Sequence, residues 1–201
     1  MILIQSPTNI MDYSQIILNK KNITDFAEER NRALSAVERG EWVLFLDSDE
    51  ILTPELKDEI RDLNPGACGG FYVKRKNYFL GRYAGTDKIT RLVKKGSGKW
   101  ARQVHETYHP RGGIEVGLLK NYLRHNTAKN LHAYIDKINN YSTLHALANK
   151  KEGKKASVVK IIFYPIFKFV QTFVKSGHVV FSLFQSFHSF LSWSKLYFLR
   201  S

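Results

Sequence analysis

Cysteine is almost absent from this chain of 201 residues, with Cys68 standing alone. No internal disulfide is possible, so the sequence fits a reducing compartment or a fold that needs no cross-link. As a nucleophile Cys68 has little support, because NPGACGG reads as a loop. Acidic residues are also scarce: 18 Asp and Glu face 31 Lys and Arg, for a formal net charge of +13. That balance points to an anionic partner such as phosphate-rich substrate, nucleic acid or an acidic membrane surface. The opening stretch MILIQSPTNIMDYSQ has no positively charged start, no long apolar core and no small-residue cleavage site, and no secretory signal is read there. The length suits one ordinary core, or one domain with an appendage.

What is there becomes legible in steps. A short strand is expected at Gln15 to Leu18. Asp25 can cap a helix reaching Val37, with Phe26, Ala33, Leu34 and Val37 recurring at helical spacing. Arg30 falls four residues from both Phe26 and Leu34, and Asn31 borders the same face. A guanidinium on an apolar face needs a partner, either structural (a carboxylate or helix end) or functional (a phosphate). After Gly40 the run WVLFL suits a strand covered on both faces. It leads directly into Asp47, Asp49 and Glu50. Thr53 then fits an N-cap, Pro54 the first helical position, and Glu55, Asp58 and Glu59 the early turns. Helix, buried strand, acidic turn, helix is an α/β pattern.

Further strands are expected at Gly69 to Lys76, with Asn77 to Arg82 as a turn, at Ile89 to Val93, around Trp100 to Val104 and near Ile114 to Leu119. After His125 the pattern turns helical, with Leu131, Tyr134, Ile138, Tyr141 and Leu144 on one stripe. KKEGKK, Lys150 to Lys155, reads as a solvated linker. The final segment is dense in Phe, Val, Ile and Leu, is broken by Pro165 and Gly177, and carries no charge between Lys175 and Lys195. Its scattered Ser, His and Gln favour an in-plane or re-entrant helix over a clean crossing. From Lys150 onward nine lysines and arginines stand against Glu152 alone, a composition suited to anionic lipid headgroups; packing on the domain or on another chain is the other reading. Nucleic acid is not an expected partner, because the charge lies beside apolar helices instead of along a recognition module.

If the strand persists through them, Asp47 and Asp49, two apart, leave it on one side. They can hold a divalent cation through hard oxygen ligands, or serve as turn residues ahead of the next helix. The stretch ERNRALSAVERGEWVLFLDSDEILTPEL resembles the R-N, A-x-G-E, apolar strand, D-x-D-E run of inverting family 2 glycosyltransferases. Within that family the chain looks most like the bacterial lipopolysaccharide-core glucosyltransferase branch. FYVKRKNYFLG, RLVKKG, WARQVHE, LRHNT with Tyr134, Lys137, Asn139 and Tyr141, and the basic aromatic tail extend the likeness over most of the chain from Asp25.

The resemblance implies a GT-A-like (Rossmann-like) mixed sheet flanked by helices over residues 1–149, followed by an amphipathic helical membrane-association region over 150–201. It implies transfer of a sugar from a nucleotide-sugar donor to a glycan or lipid-linked acceptor with inversion, assisted by Mg²⁺ or Mn²⁺, at the cytoplasmic face of the inner membrane. Asp49 is then the first-choice metal ligand, with Asp47 beside it toward the nucleotide or sugar hydroxyls. A general base is needed for the acceptor proton; Glu106 is preferred, with His105 open as base, as a contact to metal or phosphate, or as a structural side chain. Arg30, Asn31 and Arg91 are candidate diphosphate or acceptor contacts, and Trp100 either stacks on a sugar or belongs to the core. The family's opening strand V-S-V-V-I-x-x-x-N-E and its second strand ending D-x-x-S-x-D are not recognisable before Asp25. The fold is therefore expected to be N-terminally incomplete, with a sheet edge for a partner chain or second copy to cover. A non-catalytic, membrane-bound remnant or assembly subunit is the alternative reading.

Overall fold

A computed structural model describes residues 11–18, 23–102, 106–128 and 130–199. Strand β1 (Ser14–Leu18) runs parallel to β2 (Trp42–Asp47), with Leu18 opposite Asp47. The crossover between them contains α1 (Phe26–Ala36), whose first turn is capped where the Asp25 carboxylate accepts from the Glu28 amide at 2.9 Å. β2 shows why its sequence is apolar throughout. Trp42, Leu44 and Leu46 enter one cluster with Leu56 and Ile60 of α2 (Pro54–Arg61), while Val43 and Phe45 enter another with Ala27 and Leu34 of α1. The strand thus has helices over both faces. Each such side chain contributes about 1.5–3 kcal/mol by leaving water.

The rest of the sheet comes from β3 (Glu50–Leu52), the long hairpin β4 (Cys68–Phe79) and β5 (Arg82–Lys94), and β8 (Glu115–Ala128); β6 (Gly98–Ala101) and β7 (Thr107–Pro110) form a separate small hairpin. The order is β1-β2-β5-β4-β8-β3, with β1 parallel to β2, β4 parallel to β8 and the other neighbours antiparallel. Only Ser48 and Asp49 separate β2 from β3, yet these strands stand second and last in that order. The sheet therefore curls until its last strand returns beside β2, and the acidic turn spans the seam. A backbone bond from Asn126 of β8 to the Asp49 carbonyl, 3.0 Å, fixes the turn there.

The hairpin turn is tighter than the expected Asn77 to Arg82. Both strands persist to leave Leu80 and Gly81, at φ 47° and 81°, the left-handed pair that suits the twist of a two-residue connection. Phe79 keeps its strand extended because it is buried against Tyr134, Phe181 and Phe184.

Helix α3 (Leu131–Lys151), capped by Asn130, buries Tyr134 and Ile138 of the expected stripe but leaves Leu131 exposed. The KKEGKK segment is helical through Lys151 and exposed from Glu152 to Lys155. Helices α4 (Val158–Ser176) and α5 (Val179–Phe198) follow as a hairpin. Gly177 ends α4 in the left-handed conformation, φ 63°, where a Cβ would add strain. Pro165, by contrast, does not break the helix. Its ring costs one backbone bond, but it is buried under α5, and the Ser186 hydroxyl donates to its carbonyl at 2.8 Å. α5 packs on α3 and the hairpin end through Phe181, Phe184 and Leu191. The outward residues of α4, such as Val159, Phe163 and Val174, remain exposed. No helix among the described residues is long and apolar enough to cross a membrane.

Candidate active site

A cleft of about 1570 Å³ opens between the acidic turn, the β5 and β8 strands and the helices α3, α4 and α5. Asp47, Asp49, Arg91, Trp100, Glu106, His125, Lys137 and Tyr141 line its sheet end. Tyr164, Lys168, Gln185, His188 and Trp193 line it toward the tail, with Lys154 and Lys160 alongside.

The turn is held by ion pairs drawn from distant elements. Arg30 of α1, whose side chain is 0% exposed, donates from Nη2 to Asp47 Oδ1 at 2.7 Å and from Nε to Glu106 Oε1 at 3.1 Å, with Phe45 beneath its guanidinium. The partner expected for Arg30 is thus a pair of carboxylates. Its Nη1 is buried and finds no hydrogen-bond partner among the described residues. Arg91 of β5 donates to the other oxygen of Asp47 at 2.5 Å and forks onto Glu50 at 2.8 and 3.0 Å. Glu50 also accepts from Arg75, 3.0 Å, and from the Asp47 amide, 3.0 Å. Burial opposes ionisation of Glu50, but the Arg91 charge and hydrogen bonds prevail and hold its carboxyl down to about 2. Asn31 clamps α1 to β6 by giving and taking one bond with the Trp100 backbone, 2.8 and 2.9 Å. Trp100 itself is a core residue, packed edge-on against Phe45 at 4.9 Å.

Asp49 lies at the open side. Lys137 Nζ of α3 sits 2.8 Å from its Oδ2, and His125 Nε2 sits 3.3 Å from the same oxygen. Burial would raise the Asp49 carboxyl, but His125 and the Lys137 ammonium together push it well below the usual carboxylate range. His125 is in turn held by Asn77 Oδ1 at 2.7 Å, its register partner across β4 and β8. Tyr141, against Phe26, has its hydroxyl pushed up by burial and by the nearby carboxylates of Asp47, Asp49 and Glu106.

Of the residues singled out from sequence, Arg30, Asp47, Asp49, Arg91 and Glu106 converge on this end of the cleft, and Asn31 lies behind it. His105 lies outside the described residues. Glu50, Arg75, Asn77, His125 and Lys137 lie in motifs that carry the resemblance but are not among the site residues that it singles out; Lys137 has a further signal. Its spacing is the signal that points to it: three residues from Tyr134 and four from Tyr141, it borders the buried stripe of α3.

The divalent ion that the resemblance implies does not fit the turn as it is arranged. Both oxygens of Asp47 are taken by arginines, and an ammonium already sits on Asp49. Among the described residues no group of three or more His, Cys, Asp or Glu side chains is arranged to hold a metal.

The cleft of this α/β chain lies at the end of a buried strand of a curled mixed sheet, the place where α/β sheets commonly bind ligands. No protein-family model matches the chain. The chain is similar to the lipopolysaccharide core biosynthesis glycosyltransferase LpsC of Rhizobium meliloti (strain 1021), at 27% identity over 145 residues, covering 68% of this chain and 53% of LpsC. It is also similar to the uncharacterized glycosyltransferases RP128 of Rickettsia prowazekii (strain Madrid E), 27% identical, and RT0209 of Rickettsia typhi (strain ATCC VR-144 / Wilmington), 26% identical. Each of these matches covers 181 residues, 78% of this chain and 62% of the relative. The chain therefore spans between half and two thirds of the length of these relatives. Their names support a glycosyltransferase family for this chain, and its α/β architecture fits such a fold.

Proposed function

We propose that this chain carries the acceptor-activating part of an inverting glycosyltransferase of the GT-A type. A nucleotide-sugar donor would lie with its diphosphate at the acidic turn, and an acceptor hydroxyl would approach along the cleft. The acceptor oxygen bonds to the anomeric carbon, the bond from that carbon to the diphosphate breaks with its electron pair on the leaving phosphate oxygen, and Glu106 takes the hydroxyl proton. The observation that carries this reading is the convergence on one cleft of Asp47, Asp49 and Glu106, residues distant in sequence, in a chain similar to proteins named glycosyltransferases. The Arg30 hydrogen bond to Glu106, 3.1 Å, and the ion pair of Glu106 with Arg91, 3.8 Å, both meet Oε1, which leaves Oε2 for a proton. Arg30 and Arg91 act here by fixing the carboxylates rather than by gripping phosphate.

The tail end of the cleft, with Lys154, Lys160, Lys168 and Trp193, suits a negatively charged saccharide acceptor, and a lipopolysaccharide-core acceptor agrees with the name of LpsC. Calorimetry with a panel of nucleoside diphosphates and nucleotide sugars tests the donor site. One base should bind at micromolar Kd, about −8 kcal/mol. Glu106→Gln should bind that donor as the native chain does while transfer falls by about 10²–10⁴. Full transfer by Glu106→Gln would remove Glu106 from the role.

A further inference from the structure

The acidic turn holds a cation, but that cation is part of the chain. Lys137 Nζ lies 2.8 Å from Asp49 Oδ2, at the carboxylate where a divalent ion would be expected. Its side chain is 35% exposed, whereas those of Arg30 and Arg91 are 0% and 4% exposed. Arg75, shared between Glu50 and Asp87, is 18% exposed, so Lys137 is the most exposed of the cations paired with the carboxylates of the turn. Only one of its three ammonium donors is needed by Asp49. The position is built: α3 is pinned by Tyr134 and Ile138 in the Phe79 cluster, and Asp49 is pinned by its backbone bond to Asn126. Each carboxylate of the turn already has a cation of the chain beside it: Arg30 and Arg91 at Asp47, Lys137 at Asp49, Arg75 (shared with Asp87) and Arg91 at Glu50, and Arg30 at Glu106.

We infer that Lys137 is a tethered replacement for the divalent ion, bridging Asp49 to the diphosphate and neutralising it as it leaves. This rests on the glycosyltransferase reading above. A developing phosphate charge needs a positive group held in place beforehand, and a preorganised ammonium supplies it with no metal to recruit. The Asp49 carboxylate orients the ammonium, as a carboxylate orients a metal ion. Asp49 thus acts as a positioning residue, while Lys137 meets the phosphate oxygens.

The test uses the full chain with uridine, guanosine, cytidine and adenosine diphosphates, titrated in EDTA and in Mn²⁺, together with Mn²⁺ alone followed by electron paramagnetic resonance. The native chain should bind one diphosphate equally, within twofold, in EDTA and in Mn²⁺, and should leave free Mn²⁺ unbound. Lys137→Met should weaken diphosphate binding at least tenfold in EDTA, regain part of it with Mn²⁺, and bind Mn²⁺ through the released Asp49. Lys137→Arg, which keeps a cation, should stay near native, and circular dichroism of each variant checks folding. Binding by the native chain only in the presence of Mn²⁺, with Lys137→Met equal to it, would overturn the inference and leave the glycosyltransferase reading standing. Failure of every diphosphate with every folded variant would overturn both.

Discussion

Arg91 joins three carboxylates, at 2.5 Å from Asp47, 2.8 Å from Glu50 and 3.8 Å from Glu106, with its side chain almost wholly out of water. A buried pair of this kind contributes little beyond a well-packed apolar replacement, but removal of one member leaves an uncompensated charge worth about 3–5 kcal/mol. Acid removes a charge reversibly. The Glu50 carboxyl is held down to about 2 in the fold, against about 4.3 in an unfolded chain. With the folded value the lower one, the unfolded state binds more protons in that window. The stabilisation is therefore complete above about pH 4.3 and is lost as pH falls toward 2. Asp49, lowered by His125 and Lys137 against burial, contributes in the same direction. Urea titrations should show stability falling steeply below about pH 4.5. In Glu50→Gln the curve should start lower, with Arg75 and Arg91 facing each other, but slope less through that window. An unchanged slope would mean that Glu50 does not carry the acid limb.

At the level of elements, Phe79 is a junction between the sheet and helices α3 and α5. Phe79 closes the β4 strand and touches Tyr134 of α3 at 4.9 Å and Phe181 and Phe184 of α5 at 5.5 and 5.8 Å. Phe79→Ala should cost about 3–5 kcal/mol of packing. It should also release α5 before the sheet opens, seen as faster amide exchange confined to α5 and the middle of α3. Exchange rising evenly through β2 would instead place Phe79 in the central core. This dependence explains what could be read in advance. The Asp25 and Thr53 caps, the Pro54 start, the buried WVLFL strand and the short strand near Gln15 are local signals, and the structure has each of them. The pairing of Glu50–Leu52 with β8, the tight turn at Leu80 and Gly81, the uninterrupted α4 and the carboxylate partners of Arg30 depend on residues far away in sequence. Periodicity carries no information about such partners.

At the scale of the whole molecule, the +13 charge and the apolar surface fall on the same side of the problem. The hairpin α4–α5 buries one face on α3 and the sheet and leaves Val159, Phe163, Val174 and Leu183 outward, with the exposed Lys175 on α4 and the exposed Lys155 just before it. An apolar face that wide usually has a partner, and lysines beside it suit one with anionic headgroups. A tail lying in the membrane plane would also present the cleft, whose far wall is α4 and α5, to an acceptor anchored in lipid. The full chain should therefore sediment with phosphatidylglycerol vesicles and much less with phosphatidylcholine vesicles, and binding should weaken as salt is raised. Phe163→Ser with Val174→Ser removes side chains that the domain does not bury. The double variant should fold normally and lose vesicle binding by about tenfold or more, since each inserted side chain is worth about 1.5–3 kcal/mol. Native-level binding by the double variant, or equal binding to the neutral vesicles, would assign the exposed face to a protein partner instead of a bilayer.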